Sequence, residues 1–155
     1  MLLDSQNQFS AAQAVTATGA TVSTNVIDLG AVRDVGGAVT DQLMLLCEVV
    51  TPFASAGAAT LTVQFQTSPD NTVWSTLAQS DAIPVASLGQ GYKFLPGELP
   101  GPTSRYLRLN YVVGTAAMTA GALTAALVPS LDVQYRKSTR LNSSHIPLSS
   151  YAVFC

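Results

Sequence analysis

Residues 105–128 read RYLRLNYVVGTAAMTAGALTAALV and have the pattern of two β-strands. In residues 106–113 every second side chain is large and apolar, which is the period of two of a half-buried strand. These core positions are Leu107, Leu109, Tyr111 and Val113. In residues 122–128 both alternating sets are apolar, so we expect that strand to lie centrally or to have its second face covered. The stretch predicts two strands of one antiparallel sheet, joined by small residues.

The composition favours β-structure that neighbouring chains partly hide. Of the 155 residues 48% are hydrophobic and only 10% are charged, which suits one globular domain in an oligomer or an assembled lattice. No run of eighteen apolar residues occurs, and MLLDSQNQFS has neither the basic start nor the apolar core of a secretory signal. We therefore expect a soluble, unsecreted protein that does not enter a membrane.

The last residues differ in composition from the rest. Residues 136–155, RKSTRLNSSHIPLSSYAVFC, resemble the translation of a common short-read sequencing adapter over RKSTRLNSSH and SYAVFC. We interpret 135–155 as an artefactual, disordered tail and exclude it from the fold, the alternative being a genuine Ser-rich extension.

Without this tail few basic residues remain, and the charge argues against one class of partner. Arg33, Lys93, Arg105 and Arg108 are the remaining basic residues, against nine acidic ones. Because phosphate binding needs clustered Lys and Arg, we expect no nucleic-acid partner. The tail also holds the only His, which leaves Cys47 without an activating partner, so we interpret Cys47 as a small buried hydrophobe.

Turn signals divide the rest of the chain into short strands. Residues 1–20 lack a clear period and predict an extended N-terminal arm, and residues 21–134 predict a β-sandwich of Greek-key or jelly-roll type. The 41–51 strand, apolar on both faces, should stop before Pro52, and Pro84 should mark an edge or a bulge. Residues 53–59 and 96–102 read as irregular connections. The expected strands are 21–29, 41–51, 60–66, 73–77, 82–88, 92–95, the two in 105–128, and 131–133.

No pattern selects a catalytic or metal site. Zinc-type spacings of Cys and His are absent, and we expect no enzyme activity and no cofactor. A calcium site from Asp28, Asp34 and Asp41 stays open, as does a hydrolase with two converging carboxylates. A carbohydrate-binding sandwich is the main alternative function, and it predicts an exposed, coplanar set of Trp74, Tyr92 and Tyr106.

Several segments together resemble the capsid cement, or decoration, proteins of tailed bacteriophages of the Bordetella-phage type. The most specific are LDSQNQFS with STNVIDLG near the N-terminus and RYLRLNYVV followed by MTAG near the end. AGAATLTVQFQTSPDNTVW over 56–74 and AIPVA over 82–86 agree more generally. The likeness spans nearly all of 1–134 but not 36–41, 96–102 or the tail.

The resemblance implies a jelly-roll protein that assembles in the bacterial host cytoplasm onto the outer surface of an icosahedral head. It implies binding to the major capsid protein, self-association as a dimer or trimer, and no catalysis. Low charge and two-sided apolar strands agree with this adhesive role. As residues that contact the capsid or another copy we expect Leu2, Leu3, Phe9, Arg105 and Arg108.

Overall fold

The computed structural model describes residues 4–35, 43–95 and 97–129, which form an all-β sandwich. The side chains of residues 97 and 98 are not described. Two 3-10 turns lie at Ser5–Asn7 and Val85–Ser87. The ten strands of the described residues are β1 (Gln8–Ala14), β2 (Gly19–Val22), β3 (Ile27–Asp28), β4 (Met44–Ala54), β5 (Thr60–Ser68), β6 (Ser75–Gln79), β7 (Ile83–Pro84), β8 (Gly97–Glu98), β9 (Tyr106–Gly114) and β10 (Ala120–Val128).

The strands form two antiparallel sheets in jelly-roll order. Sheet 1 runs β1-β10-β4-β8, and sheet 2 runs β2-β9-β5-β6, with β3 added to β9 and β7 added to β5. If the two short additions are set aside, sheet 1 contains the first, last, third and sixth strands in chain order, and sheet 2 contains the second, seventh, fourth and fifth. This interleaving of early and late strands is the double Greek key of a jelly roll, as the sequence predicted.

The core lies between the sheets and contains the positions predicted from the alternation. Leu107, Leu109 and Tyr111 are fully buried, and Val113 is 1% exposed. Cys47 is also buried in this core, and burial raises the pKa of its thiol to about 12, which confirms that it is a hydrophobe.

A smaller apolar cluster confirms that β4 and β10 are apolar on both faces. It lies on the face of sheet 1 away from the core and contains Leu46, Ala126 and Val128, with Met44 packed against them. β10 is central, between β1 and β4, as expected of such a strand.

The two strands of residues 105–128 lie in opposite sheets, so the prediction that they share one sheet was wrong. β9 is in sheet 2 and β10 in sheet 1. The connection crosses between the sheets. Met118 N donates to Thr16 O (2.9 Å), in the link between β1 and β2, and Thr119 N donates to Ala54 O (2.7 Å), at the end of β4. Each strand still turns an apolar face to the core, which is all that its alternation implied.

Much of the segment expected to be an arm, residues 1–20, belongs to the sandwich. β1 pairs with β10, and residues 19 and 20 begin β2, which pairs with β9. β1 has no clear period because register shifts interrupt its pairing between Gln8 and Ser10 and again between Ser10 and Gln13. An extra residue at such a bulge rotates the following side chains, so Phe9 and Ser10 are both buried although they are neighbours in sequence.

Other strand boundaries also differ from the pattern. β4 continues through Pro52 to Ala54, since its pairing with β10 is irregular between Thr51 and Ala54 and the proline sits at this irregularity. Residues 21–29 contain parts of two short strands, 97–98 pair with β4, and residues 92–95 contribute a single bridge, between Lys93 and Glu48. Pro84 lies in β7, whose one partner among the described strands is β5, as an edge proline should.

Several predictions fall on residues outside the described ones. They concern Leu2, Leu3, the 36–41 region with Asp41, the 131–133 strand and the 135–155 tail. Within the described residues no helix is long and apolar enough to span a membrane.

Candidate interaction face

The outward face of sheet 2 carries an ordered polar network. Residues that pair across adjacent strands share a face, so Gln66 opposite Arg108, and Gln64 opposite both Asn110 and Gln79, all point away from the core. Trp74 precedes β6 and lies against Arg108. We call the outward side chains of Gln64, Gln66, Gln79, Asn110, Arg108 and Trp74 the amide face.

Arg108 is held by two contacts. Its guanidinium carbon lies 4.0 Å from the centroid of the Trp74 ring, and its Nε donates to Gln66 Oε1 at 2.9 Å. A cation over an indole face gains about 0.5 to 2 kcal/mol, depending on how far water is excluded. Partial burial lowers the pKa of Arg108 from 12.5, but an arginine remains charged at neutral pH. The face therefore presents a fixed positive charge.

The amides continue from Arg108 as a chain with one polarity. Because a guanidinium can only donate, Gln66 turns its Oε1 to Arg108 and its Nε2 to Gln64 Oε1 (3.4 Å) and Thr76 Oγ1 (3.1 Å). Gln64 then donates its own Nε2 to Gln79 Oε1 at 3.2 Å. The orientation of each amide thus depends on the one before it, starting from Arg108.

Asn110 is the weak point of this network. Its Nδ2 donates to Gln64 Oε1 at 2.8 Å, but its Oδ1 is buried and accepts no hydrogen bond from any described residue. The residue is only 9% exposed, so Oδ1 has little access to solvent. An unpaired buried acceptor of this kind costs about 1 to 3 kcal/mol.

Arg105 extends the charged part of the same region and is already paired. Its Nε and Nη2 donate to Asp28 Oδ1 and Oδ2, both at 2.8 Å, and its guanidinium carbon lies 4.8 Å from the centroid of the Tyr106 ring. These hydrogen bonds from Arg105, followed by one from Gly30 N, lower the pKa of Asp28 to about 2. Arg105 is therefore an ordered side chain whose charge is balanced within the chain.

Phe9, by contrast, is a core residue. It is fully buried, and its ring meets Phe65 edge to face with 6.3 Å between centroids. It joins the two sheets and offers no surface to a partner. Of the contact residues expected from the sequence, Arg105 and Arg108 lie on the surface of sheet 2, and Leu2 and Leu3 lie outside the described residues.

The aromatic residues do not form the sugar platform considered above. Tyr92 packs edge to face on Phe94 at 5.0 Å and lies beside β4 of sheet 1, since Val49 N donates to Tyr92 O. Trp74 and Tyr106 belong to sheet 2, and an arginine covers one face of each ring. The three rings are thus divided between the two sheets.

The acids considered for calcium are engaged in other contacts. Asp28 pairs with Arg105, and Asp34 Oδ1 accepts from Thr103 N at 3.1 Å. In residues 4–35, 43–95 and 97–129 no three His, Cys, Asp or Glu side chains are grouped as metal ligands. An open depression of about 240 Å³ beside β1 is lined by polar and apolar side chains, none of them charged.

The sequence singled out Arg108 as a rare cation and an expected contact residue, but it did not predict its connection to Gln64 and Gln66. That connection depends on the register between β5, β6 and β9, which places one residue of each strand side by side. The signal available was the glutamine at every second position of β5.

Comparison with known proteins identifies the family. No curated protein matches the chain. The Bbp16 family model matches residues 9–127, from β1 to β10, and thus includes the whole amide face. The chain therefore belongs to the Bbp16 family, a Bordetella phage protein family.

Proposed function

We propose that this chain is a structural virion protein that binds the outer surface of an icosahedral phage head and cements neighbouring capsomers. Membership of a phage protein family supports a role in the virion. The partners would be the major capsid protein and further copies of this chain, and the function would be adhesion.

The ordered Arg108 and Trp74 pair is the observation that carries the proposal. Tryptophan, tyrosine and arginine are the residues most enriched at the energetic centres of protein interfaces, and sheet 2 presents them at Trp74, Tyr106, Arg105 and Arg108. Because strands and hydrogen bonds already fix these side chains, little conformational entropy is lost when a partner binds.

Simultaneous contact with several capsid subunits would convert weak contacts into firm attachment. A second contact on an assembled shell is effectively intramolecular, so avidity can exceed a single affinity by factors of about 10² to 10⁴. Binding only to the assembled state also stabilises that state by mass action. A cement protein is therefore expected to prefer shells to free subunits.

A sedimentation experiment tests the proposal. The purified full chain is mixed with phage heads assembled without it, and in parallel with unassembled major capsid protein, and the mixtures are centrifuged. We expect the chain to pellet with heads up to a saturating ratio and to raise the temperature at which heads release DNA. A chain that stays in the supernatant with heads, or that binds free subunits as well as shells, contradicts cementing.

A further inference from the structure

We propose that the amide face docks a carboxylate-bearing segment of the capsid shell, with the carboxylate on the outer edge of the Arg108 guanidinium. This inference rests on the proposed function and specifies the chemistry of its contact. It assigns Arg108 as the binding residue and Trp74 and Gln66 as the residues that position it.

The unused hydrogen-bonding capacity of Arg108 is the first reason. A guanidinium has five N–H donors, and within the described residues only Nε donates, to Gln66. The stacking on Trp74 and the Nε bond fix the plane of the group, so the two Nη groups form a preset donor pair. Planar donor pairs of this kind bind carboxylates in a bidentate manner.

The second reason is that nearby carboxylates of this chain already have donors. Asp28 accepts both Arg105 bonds and one from Gly30 N. Asp70, in the turn that leads to Trp74, accepts from Thr72 N (2.9 Å), Val73 N (3.0 Å) and Ser68 Oγ (3.0 Å). The Thr72 side chain, followed by the backbone bonds from Val73 and Thr72, lowers the pKa of Asp70. The only ion pair among the described residues joins Arg105 to Asp28, so Arg108 has no carboxylate there.

The charge count favours a carboxylate over a phosphate chain. Arg105 and Arg108 are the only basic residues in β9 or next to it, and Arg105 is neutralised by Asp28. Nucleic-acid backbones are bound by clusters of cations, whereas one oriented arginine suits one acidic side chain.

Trp74 gives a direct readout, because it is the single tryptophan of the chain and lies under the binding group. The probe is poly-L-glutamate, titrated into the full chain at low salt while tryptophan emission is recorded. We expect a saturable change that 0.5 M NaCl abolishes and that Arg108→Gln lacks. A matched control, Lys93→Gln, removes an exposed cation beside β4 of sheet 1 and should keep the change.

Head binding by the same variants completes the test. We expect both Arg108→Gln and Arg108→Lys to weaken binding to heads at least about tenfold. Lysine keeps the charge but lacks both the planar donor fork and the stacking of a guanidinium. The control Lys93→Gln should bind heads as the parent does. Circular dichroism and urea unfolding check that each variant is folded, and Arg108→Lys retains the charge if Arg108→Gln is unstable.

If the parent binds heads and both folded Arg108 variants bind equally well, the carboxylate contact is overturned and the proposed function stands. If the parent does not bind heads, the proposed function itself fails. The inference would also be overturned if Arg108 were required for self-association or for DNA binding but not for binding to heads.

Discussion

The phenolic oxygen of Tyr111 lies 2.8 Å from Ser10 Oγ, and this buried hydrogen bond joins β9 of sheet 2 to β1 of sheet 1. Ser10 Oγ also donates to Gln13 Oε1 at 2.6 Å, so the tyrosine hydroxyl is the donor in the bond that the two oxygens share. Burial raises the pKa of Tyr111, which keeps the hydroxyl protonated. The contact exists only because a bulge turns Ser10 inward, and it fixes β1 onto the sandwich.

Removing either hydroxyl should destabilise the fold, but unequally. Tyr111→Phe leaves Ser10 bonded to Gln13, so we expect a loss of about 1 kcal/mol in the free energy of unfolding. Ser10→Ala leaves the tyrosine hydroxyl buried without a partner, and we expect a larger loss of about 2 kcal/mol. The double variant should resemble Tyr111→Phe alone. Urea unfolding measures all three, with Tyr92→Phe as a control outside this contact, and a strictly additive double variant would contradict the coupling.

The contrast between β9 and β1 explains how much of the fold was predictable. The alternation in β9 shows which side chains face a core whatever strand lies beside it, and that part was confirmed. Alternation does not specify which strand lies beside a given strand. The sequence therefore predicted β9 and β10 in one sheet, whereas β9 belongs to sheet 2 and β10 to sheet 1. β1 was not recognised as a strand, because two bulges and a positive φ of 46° at Ala12 erase its period.

The candidate site was predictable only residue by residue. Arg108 could be singled out because cations are rare in this chain, and Gln64 and Gln66 because they alternate with buried residues. The stacking on Trp74 and the single polarity of the amides depend on three strands meeting in one register, which local sequence does not encode. Asn110 gave no signal at all, since an asparagine on the outward face of a strand looks solvated.

A methyl group at Gly121 should disrupt the packing of β10 on β4. Gly121 has φ +139°, which other residues rarely adopt, and a Cβ there would overlap the ring of Phe53. We expect Gly121→Ala to lower the free energy of unfolding by about 3 kcal/mol or more, because overpacking and backbone strain add. Gly89→Ala, where a Cβ meets nothing within 4 Å and φ is not positive, is the matched control and should change little. Adding Phe53→Leu to Gly121→Ala should restore part of the loss; no restoration would mean that the backbone alone causes it.

The Asp28 and Arg105 pair should make stability depend on pH in the acid range. The pKa of Asp28 falls from its ordinary 3.8 to about 2 in the folded chain, so its stabilising contribution is complete above pH 4 and is lost as the pH falls through about 2. Asp28→Asn should therefore lower stability at pH 7 at low salt and should flatten the decline between pH 4 and pH 2. Urea unfolding at pH 7, 4 and 2.5 measures this. Asp81→Asn, at an exposed carboxylate to which no described group donates, is the control. If Asp28→Asn loses stability between pH 4 and pH 2.5 as steeply as the parent, Asp28 is not the group responsible for the decline.

Replacing Asn110 should stabilise the free protein, although it removes a hydrogen bond. Asn110→Val eliminates the buried Oδ1 that has no donor, and Gln64 Oε1 keeps its bond from Gln66, so no group is newly left unpaired. Valine also suits a β-strand better than asparagine, and Val112 lies two residues along the same face. We expect the free energy of unfolding to rise by about 1 kcal/mol. Gln64→Val is the matched control: it removes the acceptor shared by Asn110 and Gln66, so it should lower stability by about 1 to 2 kcal/mol. If Asn110→Val is instead destabilised as much as Gln64→Val, Oδ1 has a donor in solution and the network is complete without a partner.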